Sequence, residues 1–143
     1  MFGTAQTLSR AAHNMSNLYT HISVEGAASG DRSGHELVAL LFDGLLAAIA
    51  RGRGAIQTGD IPGKGRAIAS ALRIIGEGLR AGLNMREGGN LARDLNDLYG
   101  YIELRLTQAN LRGDDAALAE CTNLVKTLRD AWSQIAPQVR RGL

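Results

Sequence analysis

Residues 59–65 contain the residue types of a phosphate-binding loop but not its spacing. Such a loop needs four residues between its two glycines, and a Ser or Thr after the lysine to ligate magnesium. Here only three residues separate Gly59 from Gly63, and Lys64 is followed by Gly65. No strand is predicted before the segment either. We therefore interpret it as a turn between two helices.

The histidines do not fit a metal site. His35-Glu36 begins like the zinc-protease motif, but the residue that should be the second histidine is Ala39. Helical bundles can also hold two metal ions through Glu-x-x-His pairs. No histidine of this chain has a glutamate three residues before it. The sequence therefore predicts no metal ligands and no cofactor.

Cys121 is the only cysteine, so no disulfide can form within the chain. It lies on the apolar seam of the last predicted helix, where a buried small side chain is expected rather than a nucleophile. Tyr99 and Trp132 are likewise interpreted as packing residues. Since no acid–base pair, metal cluster or activated nucleophile is found, we expect a protein that is not an enzyme.

Composition limits the class of protein further. The chain has 143 residues, 45% hydrophobic and 4% aromatic, which predicts one globular domain with an aliphatic core. Its 16 basic and 14 acidic residues are interleaved, a pattern typical of solvated helix faces and not of a nucleic-acid binder. No stretch is apolar enough to insert into a membrane, and no signal-peptide pattern is present. We expect a cytoplasmic protein.

Four segments show helical periodicity. The first should run from about Gly34 to Gln57, opened by a capping box of Ser33 and Glu36. Asp60 and Pro62 suit the start of the second. The remaining marks are Gly113 at the end of the third helix, Asp114 and Asp115 at the start of the fourth, and Pro137 as its stop.

Short turns between these helices require an up-and-down order. The sequence thus predicts an all-α fold, an antiparallel up-down four-helix bundle with a short N-terminal helix or arm. We expect three parts: an arm and loop over residues 1–32, the bundle over residues 33–137 and a flexible tail over residues 138–143. Within the second helix, Gly76, Gly78 and Gly82 permit either close helix packing or a helix that yields.

The first helix carries more apolar surface than a bundle core needs. Between Leu37 and Ile56 the apolar residues cover well over half of the helix circumference, whereas a core-facing stripe is about 100° wide. The excess either fills inner corners of a tightly packed bundle or forms a groove for a partner's amphipathic helix. The candidate groove and the arm that would cover it comprise Tyr19, Ile22, Phe42, Leu46, Ile49, Ile74, Tyr101 and Leu104.

Several segments, taken in order, resemble one family. Tyr19 and the run Ser33 to Gly44 (SGHELVALLFDG) resemble the Tyr…Ser-Pro-x-x-Leu-x-x-x-Leu-Tyr-Asp-Gly opening of the bacterial flagellar secretion chaperone FliS family. The segments LNMREGG (residues 83–89), LYGY (98–101), QAN (108–110) and AW (131–132) match its later landmarks. Gly34 and Phe42 stand where that family usually has Pro and Tyr.

The resemblance implies a helical cytoplasmic chaperone that binds the disordered C-terminal segment of flagellin. Such a chaperone prevents premature polymerisation and helps to deliver the subunit to the flagellar type III export gate. The resemblance also implies that Tyr19 takes part in a switch between free and loaded forms. The alternative is a self-associating structural bundle that buries its second apolar stripe in a homodimer.

Overall fold

The computed structural model describes Tyr19 and residues 34–141, with backbone alone for residues 135–141. This part of the chain is all-α and contains no strand, which confirms the predicted fold class. Its helices are α1 (Gly34–Thr58), α2 (Ile61–Arg73), a π-helical segment (Ile74–Arg80) that continues α2, α3 (Gly89–Arg112) and α4 (Asp115–Arg141).

The helices form a ring in which each packs against two neighbours. Helix α1 packs against α2 and α4, and α3 packs against the same two, so α1 and α3 lie diagonally opposite each other. Two-residue connections at 59–60 and 113–114 force the joined helices to run antiparallel. The apolar core occupies the space enclosed by the ring.

The predicted helix ends at the two short turns are confirmed. The Asp60 carboxylate accepts a hydrogen bond from the backbone N–H of Gly63 at 2.9 Å, and Pro62 lies in the first turn of α2. Gly113 ends α3 with φ 62°, in the left-handed region that glycine adopts without steric cost. These local interactions satisfy backbone groups that a helix end leaves unpaired.

The predicted seam of α4 faces the core. Leu118, Cys121, Val125 and Trp132 are buried, as the three- and four-residue spacing predicts. Tyr99 is buried on the facing side of α3. The packing roles predicted for Cys121, Tyr99 and Trp132 are therefore confirmed, and burial raises the pKa of the Cys121 thiol to about 11.

Gly76 and Gly78 lie in a widened stretch of the second helix, and Gly78 allows the close packing that was one of the two predicted roles. The backbone N–H of Ala81 bonds to the carbonyl of Gly76, five residues earlier, so the helix has widened into a π-helix here. A Cβ atom on Gly78 would lie 3.0 Å from Cδ2 of Leu41 in α1. Gly78 thus allows the widened helix to lie close against α1.

The prediction that α4 stops at Pro137 is wrong, because the helix continues to Arg141. A proline inside a helix removes one N–H donor and crowds the carbonyl four residues earlier, here that of Ser133. It leaves the other backbone hydrogen bonds of the helix intact. The helix can therefore pass through the proline when the residues around it support helix.

Some expectations lie outside the described residues. The Ser33 half of the capping box, the loop before it and all of the arm except Tyr19 belong to this group. The division into arm, bundle and tail therefore stays a prediction.

Candidate functional site

Tyr19 is buried in the bundle although it lies outside the four helices. Its side chain is 3% exposed and its hydroxyl oxygen lies 2.7 Å from that of Tyr99 in α3. Its ring meets the ring of Trp132 in α4 edge to face, with centroids 5.6 Å apart. Two helices of the bundle therefore build an aromatic site, and a residue of the N-terminal segment fills it.

Trp132 is held in place by the first turn of α1. Its indole N–H donates to the backbone carbonyl of His35 at 2.9 Å, and its ring stacks on the His35 imidazole with centroids 4.2 Å apart. We call Tyr19, His35, Tyr99 and Trp132 the aromatic site.

Both tyrosines of the aromatic site remain neutral over the physiological pH range. Burial raises the pKa of Tyr19 well above its ordinary value, because a phenolate would lose its hydration there. Burial likewise raises the pKa of Tyr99. One hydroxyl can therefore donate to the other, and each is the hydrogen-bond partner that a buried tyrosine needs.

Phe42 and Ile49, predicted to lie on a surplus apolar stripe, are buried and belong to the core. Leu46 and Ile74 are partly buried and pack against that core, and Ile74 lies beside Gly44 of α1. A helical wheel counts one core-facing stripe for a helix, but α1 packs against α2, the π-helical segment and α4. These neighbouring elements therefore cover apolar side chains of α1 that lie outside a single core-facing stripe.

Tyr101 and Leu104 lie on the outer side of α3, and Leu104 is 53% exposed. The Tyr101 hydroxyl donates to Glu120 of α4 at 2.7 Å, and Arg105 donates to the same carboxylate at 2.7 Å. These two hydrogen bonds, with that from Tyr101 the larger influence, lower the pKa of Glu120. Tyr101 is thus held in one orientation beside an exposed leucine.

The candidate residues on described helices lie on three elements, and the π-helical segment that carries Ile74 packs against both α1 and α3. Phe42, Leu46 and Ile49 belong to α1, whereas Tyr101 and Leu104 belong to α3, the diagonal helix. Ile22 lies outside the described residues. A partner that contacts the exposed members of both groups must therefore extend around the bundle.

Sequence reasoning missed that Tyr99, Trp132 and His35 form a site for Tyr19. A signal was present in Tyr99 itself, since a tyrosine on a core seam needs a partner for its hydroxyl. Sequence reasoning also missed that Leu40, Ile61 and Leu111 are exposed. Ile61 and Leu111 flank the two short turns, where a side chain can project beyond the ends of the neighbouring helices.

The part of the chain that the structure describes contains no group of three or more His, Cys, Asp or Glu side chains placed to hold a metal ion. Among the same residues, none of the helices has the length and apolarity required to cross a bilayer.

Comparison with known proteins agrees with the resemblance seen in the sequence. The family model described as flagellar protein FliS matches residues 15–139. The chain is 42% identical over 120 residues to the flagellar secretion chaperone FliS of Salmonella typhimurium, covering 84% of this chain and 88% of that protein.

Two further relatives match over a similar length. The chain is 39% identical over 118 residues to the flagellar secretion chaperone FliSB of Pseudomonas aeruginosa, covering 82% of this chain and 92% of that protein. It is 35% identical over 120 residues to FliS of Vibrio cholerae, covering 84% and 87% of the two chains. The chain therefore belongs to the FliS family of flagellar secretion chaperones.

Proposed function

We propose that this protein is a cytoplasmic, non-enzymatic export chaperone that binds the disordered C-terminal segment of flagellin. By covering that segment it would prevent premature polymerisation and help to deliver the subunit to the flagellar type III export gate. Membership of a family whose relatives are named flagellar secretion chaperones supports the proposal. The structural observation that carries it is the burial of Tyr19 in a site built by α3 and α4.

The aromatic site suits an exchangeable occupant. Its walls come from the bundle, whereas Tyr19 comes from the N-terminal segment. Residues 20–33 separate Tyr19 from Gly34, the first residue of α1. Burying one large apolar side chain contributes about 1.5–3 kcal/mol. A side chain of a client can supply a similar amount, so a client can compete for the site against the N-terminal segment, whose tether gives it a high effective concentration. We propose that this competition sets the free and loaded forms.

A disordered client fits the placement of the apolar residues. The partly buried residues of α1 and the exposed Leu104 of α3 lie on diagonal helices, with the π-helical segment packed against both. A disordered segment can fold around such a surface, although it pays the entropy of ordering when it binds. Apolar burial at about 25 cal/mol per Å² offsets that cost.

Calorimetry with a synthetic peptide of the flagellin C-terminal segment tests the binding. We expect a strongly negative heat-capacity change, because coupled folding buries a large apolar area. Leu104→Asp should weaken binding by about ten-fold or more, since it places a charge on the contact surface. Met85→Asp, at an exposed position in the turn before α3, is the matched control. Absence of binding, or a heat-capacity change near zero, would contradict the proposal.

The role of the N-terminal segment is tested separately with Tyr19→Ala, which empties the aromatic site. If Tyr19 competes with the client, this variant should bind the peptide with a faster association rate and higher affinity. Tyr19→Phe keeps the ring but loses the hydroxyl pair with Tyr99, so it should change the rate and the affinity in the same direction by a smaller amount. Deleting residues 1–24 should have the same effect as Tyr19→Ala. Unchanged rates in both variants would show that the client does not compete with this segment.

Sedimentation of the purified chain distinguishes the proposal from the homodimer alternative. If the protein is a chaperone, the dominant species in excess peptide should be a complex of the chain with the peptide. A tight dimer that persists in excess peptide would favour the structural bundle.

A further inference from the structure

The end of the bundle that carries the two short turns exposes large apolar side chains. Ile61 is 71% exposed and Leu111 is 79% exposed, the highest values among the large apolar residues of the described part. They line a cavity of about 340 Å³, together with Ala55, Ile56 and other residues of the turns. Apolar side chains that flank a concave surface are typical of a docking surface and not of an ordinary helix end.

A second cavity of about 630 Å³ lies beside the first, and Ala55 and Asp60 line both. Small residues form much of its wall, among them Gly54 and Ala67. A Cβ atom on Gly54 would meet no atom within 4 Å, so the backbone of α1 is open to close approach here. The two cavities therefore adjoin at Ala55 and Asp60.

The charge around these cavities is mainly positive. Four cationic residues line them, Arg51, Lys64, Arg66 and Arg112, against one carboxylate, that of Asp60. The carboxylate already accepts the N–H of Gly63. The guanidinium groups of the three arginines form no ion pair with any residue that the structure describes. Their charge is therefore available to a partner.

We propose that this loop-end surface, made by Arg51, Ile61, Lys64, Arg66, Leu111 and Arg112, is a second docking surface that binds an acidic amphipathic helix of another protein. The apolar face of such a helix would cover Ile61 and Leu111, and its carboxylates would face the arginines. The surface is separate from the aromatic site. His35 and Ile56 lie near opposite ends of α1, about 31 Å apart at 1.5 Å per residue.

Two other occupants fit less well. A second copy of the chain in a two-fold contact would bring the same cations against one another, which disfavours the contact. A lipid bilayer is flat at this scale and leaves the two depressions unfilled. A convex partner with negative charge satisfies the shape, the exposed apolar side chains and the charge together.

The test uses the full chain, labelled with ¹⁵N, and a synthetic helical peptide of about 18 residues with Leu on one face and Glu on the other. We expect amide shift changes concentrated in residues 51–67 and 110–113. A matched peptide with Lys in place of each Glu should bind at least about ten-fold more weakly, and added salt should weaken the acidic peptide.

Two variants separate the charged and apolar contributions. Arg51→Glu with Arg66→Glu should weaken the acidic peptide by about ten-fold or more, and Leu111→Ser should also weaken it. Arg73→Glu with Arg86→Glu makes the same charge change at exposed positions outside the cavities and should leave binding unchanged. All variants should bind the flagellin peptide like wild type, which keeps this test independent of the proposed function.

Three kinds of result would overturn the inference. The first concerns the peptides: either the shift changes lie at the aromatic site instead of the loop-end surface, or the acidic and basic peptides bind equally well. Another is a dimer of the free chain that Leu111→Ser dissociates, which would assign the surface to a second copy. The third is co-sedimentation with phosphatidylglycerol vesicles that the Arg51→Glu, Arg66→Glu variant abolishes, which would assign it to lipid.

Discussion

The two ends of α1 present their large side chains to different surroundings. At the His35 end, Tyr19 and Trp132 are almost completely buried and joined to neighbours by hydrogen bonds. At the Thr58 end, the apolar side chains of Ile61 and Leu111 stay largely exposed. The hydrogen bonds there are local caps and part-buried contacts of charged side chains, such as that of Arg53 with Asp115. The same helix thus contributes to a tightly coupled cluster at one end and to an open surface at the other.

The difference indicates which apolar side chains stabilise the fold. Removing a side chain from the aromatic site leaves a cavity among packed groups, whereas removing one from the loop-end surface mostly exchanges one solvated surface for another. Substitutions at the first end should therefore destabilise the fold. Substitutions at the second should change binding with little change in the free energy of unfolding.

The largest expected effect is that of Trp132→Ala. It should lower the free energy of unfolding by about 3–5 kcal/mol, because it removes a buried aromatic ring and its hydrogen bond to the His35 carbonyl. Leu111→Ala should change it by no more than about 0.5 kcal/mol. Urea unfolding monitored by circular dichroism measures both. Equal effects would break the comparison between the two ends.

The hydroxyl pair of the aromatic site should show strong coupling. Tyr19→Phe and Tyr99→Phe should each cost about 1–3 kcal/mol, since each leaves a buried hydroxyl without its partner. The double variant should cost less than the sum of the two, because it removes both polar groups together. A double-mutant cycle in urea gives the coupling energy. Additive effects would mean that the two hydroxyls do not depend on each other.

A smaller effect is expected from the cap at the loop end. Asp60→Ala should lower the free energy of unfolding by about 1 kcal/mol, through loss of the hydrogen bond to the N–H of Gly63. Asp60→Asn retains an acceptor oxygen and should recover most of the stability. Thermal unfolding of both variants is the measurement. A loss comparable with that of Trp132→Ala would show that this end is as tightly coupled as the other.

The smallest effect concerns the exposed ion pair at the loop end. Arg53 donates two hydrogen bonds to Asp115, at 2.9 and 3.1 Å, and they lower the carboxyl pKa from its ordinary value of 3.8. A lowered folded-state pKa contributes stability above the ordinary value and loses it as the pH falls through the folded value. The free energy of unfolding of wild type should therefore exceed that of Asp115→Asn at pH 7. The difference between the two should vanish in strong acid. Acid titrations of both variants, repeated at high salt, check the sign.

The local patterns that predicted the fold have a local physical cause. Asp60 caps α2 and Gly113 ends α3 because both requirements arise within one turn of backbone. The seam of α4 is buried because its spacing places one side of a helix towards the core. Such features depend on residues close in the chain, so they can be predicted without knowing which helices pack together.

The errors arose where several helices meet. Phe42 and Ile49 were assigned to a surplus stripe, but the neighbours of α1 bury them. The groove and cover expected from the eight candidate residues stay a prediction. Of the candidates on described elements, Phe42, Leu46 and Ile49 lie on α1, Ile74 on the π-helical segment, and Tyr101 and Leu104 on α3. Pro137 was taken as a stop, although a proline removes only one donor of a long helix.

The amino-acid sequence by itself determined the four helices, their order, most of their ends and the family to which the chain belongs, because periodicity, caps and motif spacing are properties of short segments. Only the tertiary structure decided which apolar residues remain exposed, how Tyr19 meets Tyr99 and Trp132, and which cations line the two adjoining cavities near the short turns. These features depend on distances between residues far apart in the chain, which are set by how the helices pack.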